Sequence, residues 1–75
     1  MDTADFSTIG AEAGNGLLVQ ILVQSEWFTL TSWEVLPSNA LLCSSLREWD
    51  GETVPIRSVV AMDQIAMARL IPAES

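Results

Sequence analysis

Seventy-five residues with 10 acidic side chains, 3 arginines, no lysine and no histidine carry a formal net charge of -7. A chain of this length is one domain, too acidic to neutralise nucleic-acid phosphates or anionic headgroups and, at 49% hydrophobic, too apolar to be a disordered tail. Cys43 is the only cysteine, which excludes an internal disulfide, and the missing histidines leave too few ligands for structural zinc, so help for a marginal core is expected from a partner or a second copy.

Residues 1–16 are predicted to be a flexible leader with at most one frayed turn. Asp2 and Thr3 are good cap residues, but Gly10, Gly14 and Gly16 oppose a helix, each at about 1 kcal/mol in an interior position. Gly14-Asn15-Gly16 breaks the chain before the first strand. In Leu17–Gln24, Leu17, Val19, Ile21 and Val23 share one wholly apolar face, while Leu18, Gln20, Leu22 and Gln24 share a mixed one. That pattern is a strand buried on one side and half covered on the other.

After Ser25-Glu26, the aromatic and β-branched run Trp27–Leu36 reads as a second strand in an antiparallel hairpin. Its parity slips: Phe28 and Leu30 lie on one face, but Trp33 and Val35 take the other. A bulge near Thr31-Ser32 would restore the inward face and leave Trp27 and Trp33 on opposite sides. Pro37-Ser38-Asn39 is a turn signal, and Ala40–Trp49 is expected to be a strand, with a short helix as the alternative. Asp50-Gly51 is the preferred pair for a tight hairpin, which sets Trp49 against Thr53 or Val54. Thr53–Met62 reads as a strand with Pro55 on an edge or at a bulge, Asp63-Gln64 breaks it, and Ile65–Ile71 follows as a strand. The competing reading is α+β, with a C-terminal helix over residues 58–70 capped by Ser58 and striped by Val59, Met62, Ala66 and Leu70.

Hairpin, turn, hairpin and a short segment with a polar break at Met62-Asp63-Gln64-Ile65 resemble the small barrels of the SH3-like or Sm-like kind over residues 17–71. The resemblance implies a mainly β fold, a five-stranded antiparallel barrel over residues 17–72 with a tail at 73–75. It also implies a fold that often forms rings or serves as an adaptor. The Asn and basic loop residues with which Sm-like proteins contact RNA are not present, so no family binding residue is carried over.

Little chemistry is available. Without histidine, lysine or tyrosine there is no usual general base, no nucleophile–histidine pair and no Schiff-base amine. The chain is therefore expected not to be an enzyme, and to use no cofactor and no metal. Glu48, Asp50 and Glu52 cluster at the Asp50-Gly51 turn, where polar side chains belong in any case. Cys43 has only Arg47 near it in sequence and reads as a small buried hydrophobe.

The tryptophans are the informative residues. Three of them, in a chain whose charged residues make up only 17%, exceed what a small core readily buries. Trp27, Trp33 and Trp49, with Phe28 beside them, are the predicted protein-binding residues. The outward one of Trp27 and Trp33 is the candidate anchor. The expected function is a non-enzymatic protein-binding module (adaptor, inhibitor or regulatory subunit) acting through an apolar, tryptophan-containing patch with an acidic rim. Its expected partner is a protein, a basic one fitting the net charge, and homo-oligomerisation is expected from composition. A structural homo-oligomer subunit is the alternative, and an Sm-like nucleic-acid binder is disfavoured by charge. The acidic N-terminus and an apolar run interrupted at Gln20 lead to the expectation of a cytoplasmic chain with no membrane partner.

Overall fold

A computed structural model describes residues 1–73. Helix α1 (Thr3–Glu12) precedes strands β1 (Leu17–Val23), β2 (Glu26–Leu36), β3 (Ala40–Trp49), β4 (Glu52–Ala61) and β5 (Ile65–Pro72). A single 3-10 turn, Met62–Gln64, joins β4 to β5. The strands form one antiparallel sheet in the order β4-β3-β2-β1-β5.

The strand assignments follow from alternation and turn chemistry. Val19 and Ile21 are buried on the wholly apolar face of β1, as its pattern predicts. Asp50 and Gly51 both have positive φ, 56 and 79, the two-residue turn that suits the twist of a hairpin. The turn closes tightly, so Trp49 opposes Glu52, while Thr53 and Val54 face Glu48 and Arg47. That corrects the expected register. The alternative helix over 58–70 does not form: Ser58–Ala61 stays paired with β3 and the polar break becomes the 3-10 turn.

Thr31 is the extra residue of a bulge. The β2–β3 register passes from Leu30↔Ser45 to Ser32↔Ser44, skipping it. Trp33 then opposes Cys43 and returns to the concave face that Leu30 occupies.

Two expectations are corrected. The leader contains a helix. Asp2 caps it by accepting from the Ala4 N–H at 3.2 Å, Asp5 lies in its first turn, and Phe6 is fully buried. Burying a phenylalanine stabilises by about 2–3 kcal/mol, which outweighs the roughly 1 kcal/mol that Gly10 costs. Gly10 also has a packing role: a Cβ there would sit 3.0 Å from Trp33 Nε1. The second correction is that the sheet is open. Among the described residues, β4 pairs only with β3 and β5 only with β1. Closure needs β4 to bend toward β5, yet its ladder with β3 runs from Ala40↔Ala61 to Trp49↔Glu52 without a bulge. Residues 74–75 of the expected tail lie outside the described residues.

The core sits inside the curl of the sheet at the helix end. Phe6, Val19, Ile21, Leu30, Leu41, Met62 and Ile65 are its fully buried side chains. Phe6 meets Trp33 edge to face, centroids 6.2 Å apart at 87°.

Candidate protein-binding surfaces

The helix covers one end of the curled sheet and leaves the other end open. There the concave face holds a cavity of about 490 Å³ whose lining includes Ile21, Phe28, Leu30, Cys43, Ile56 and Val60. These residues share one side because cross-strand partners do: Ile21 opposes Phe28, Cys43 opposes Ser58 and Leu41 opposes Val60. At the mouth, Arg47 Nη2 lies 3.8 Å from Glu26 Oε1, with both side chains exposed. An exposed pair of that length contributes little to stability. Glu48, Asp50 and Glu52 are also exposed, around the β3–β4 turn.

The four predicted binding residues separate. Phe28 is half-buried in the cavity wall. Trp33 is half-buried against Phe6 and Gly10, so it belongs to the contact between helix and sheet. Trp49 is 67% exposed at the turn. Trp27 takes the convex face, as the bulge implies, in a cross-strand row with Leu22 and Met67.

Sequence reasoning missed Arg69. Its guanidinium carbon stands 3.8 Å from the centroid of the Trp27 ring, and its Nε donates to Gln20 Oε1 at 2.8 Å. The Gln20 Nε2 donates in turn to Thr29 Oγ1 at 2.9 Å. Gln20 opposes both Arg69 and Thr29, so the row crosses β5, β1 and β2. No local signal in the sequence links Trp27 with a residue two strands away.

Cys43 lies on the cavity floor, and burial pushes its thiol pKa above the ordinary 9.0. It is therefore a poor nucleophile at neutral pH. Among the described residues no group of three His, Cys, Asp or Glu side chains could hold a metal ion, and no helix is long and apolar enough to cross a membrane. No family model, curated protein or solved structure matches the chain.

Proposed function

We propose that this chain is a non-enzymatic protein-binding module that completes its open sheet with a strand from a second copy of itself. The observation that carries this reading is that the outer strands β4 and β5 each pair on one side only, with the Met1 ammonium on the Ile65 carbonyl at the start of β5, beside an uncovered apolar concavity. Unpaired edges offer rows of free N–H and C=O groups, and long exposed ones are usually blocked by charge, bulges or cover. β4 is ten residues long and mostly exposed, without a bulge, and its only blocking residues are Glu52, Pro55 and Arg57. Pairing β4 of one copy with β5 of the next uses different surfaces on the two copies, so the assembly closes into a ring or grows as a filament. The exposed Ile56 and Val59 would be covered in the process.

Sedimentation velocity tests the reading. The wild-type chain at tens of micromolar is expected to sediment as an oligomer. The double variant Ile56→Asp, Val59→Lys places a charge on each face of β4 and is expected to sediment as a folded monomer. A monodisperse wild-type monomer at that concentration rejects the proposal.

A second reading has its own support. Glu26 lines the concavity, and the exposed Trp49 and Glu52 lie beyond it on the same face of the β3–β4 hairpin. That is an apolar surface with an acidic rim, suited to a basic segment of another protein. Binding of this kind weakens as salt screens the rim, whereas strand pairing within an oligomer is far less sensitive.

A further inference from the structure

The convex face of the sheet carries a second surface, on the opposite side from the concavity. Met67, Leu22 and Trp27 form an apolar row across β5, β1 and β2, with Met67 53% exposed. Arg69 lies over this row, stacked on Trp27 and tethered by Gln20. Its Nε is used, and its Nη groups have no partner among the described residues.

We propose that this platform binds a carboxylate-bearing, otherwise apolar segment of a partner protein, with the carboxylate on the Arg69 Nη edge and the apolar side chains on Leu22, Met67 and Trp27. Three observations converge on that occupant. A guanidinium is a planar fork whose donors match a carboxylate. Here its plane is held before any ligand arrives, by the ring on one side and the Gln20–Thr29 relay on another, so binding orders little that is still free. The row beside it is apolar, with Met67 exposed and Leu22 and Trp27 half-buried, and tryptophan and arginine are both enriched among interface hot spots. The surrounding field of a chain with net charge -7 repels acidic partners at long range. A stacked, oriented cation is what can still select a carboxylate at contact, where screening beyond roughly 8 Å removes distant charges.

Selection of a random dodecapeptide library on the intact chain tests the proposal. Enriched peptides are expected to share an Asp or Glu flanked by apolar residues. Replacing that acid by its amide, or Arg69 by Gln, is expected to weaken binding roughly tenfold or more. Arg69→Lys keeps the charge but loses the fork and the stack, and is expected to fall between wild type and Arg69→Gln. No enrichment of acid-bearing peptides, or binding of such peptides indifferent to Arg69→Gln in a chain that melts as wild type, would overturn it.

Discussion

Single residues decide which way this sheet presents its aromatics. Thr31 is the clearest case. Skipping it in the ladder turns Trp33 onto the concave face while Trp27 stays on the convex one. Deleting Thr31 would join Leu30 directly to Ser32 in a regular ladder, with Trp33 still opposite Cys43 on the concave face. The deletion is expected to leave a folded domain with a cooperative melt, and loss of that melt would contradict the assignment of Thr31 as the extra residue. Cys43 gives a prediction in pH. Its folded pKa is raised, so the neutral thiol favours the folded state below the ordinary value of 9.0, and that contribution is lost as pH rises through the folded value. Stability is expected to decline above pH 9.0 in the wild type and to decline less in Cys43→Ala, as read by urea midpoints across that range. Equal declines would remove the thiol as the cause. That Trp27 and Trp33 lie on opposite faces was legible from parity alone, because a one-residue slip has only one local remedy. The stack of Trp27 with Arg69 was not legible, since it depends on how β5 registers on β1 far along the chain.

Among the elements, the strands were readable and the helix was not. Alternation in Leu17–Val23, the Asp50-Gly51 pair and the polar break at Met62–Gln64 are local signals with local causes. Helix α1 has few such signals. Its glycine at position 10 reads as a penalty until the Trp33 ring is placed against it, and Phe6 looks like a lone aromatic until it enters the core. The helix is thus stabilised by tertiary packing more than by propensity. Phe6→Ala is expected to cost about 3–5 kcal/mol in chemical denaturation. A domain of this size has roughly 4–11 kcal/mol to lose, so the variant should be close to unfolding. A loss below about 1 kcal/mol would show that α1 is not part of the folding unit.

At the scale of the whole molecule, the open sheet is the central feature. A compact monomer of this mass exposes about 4,500 Å² by the usual size scaling. This chain exposes 5094 Å², consistent with an uncovered flank. A closed barrel was the expectation from element order, but closure is a property of curvature summed over all the strands. The unbroken β3–β4 ladder that prevents it is visible only once the registers are known. The account rests on β4 and β5 being edges that a second copy covers. Amide hydrogen exchange followed along β4 and β5 as the chain is diluted tests this most directly. Outward-facing amides of both strands should be protected at high concentration and lose that protection together on dilution, while β1 and β2 stay protected throughout. Fast exchange of those β4 and β5 amides at every concentration would contradict the account.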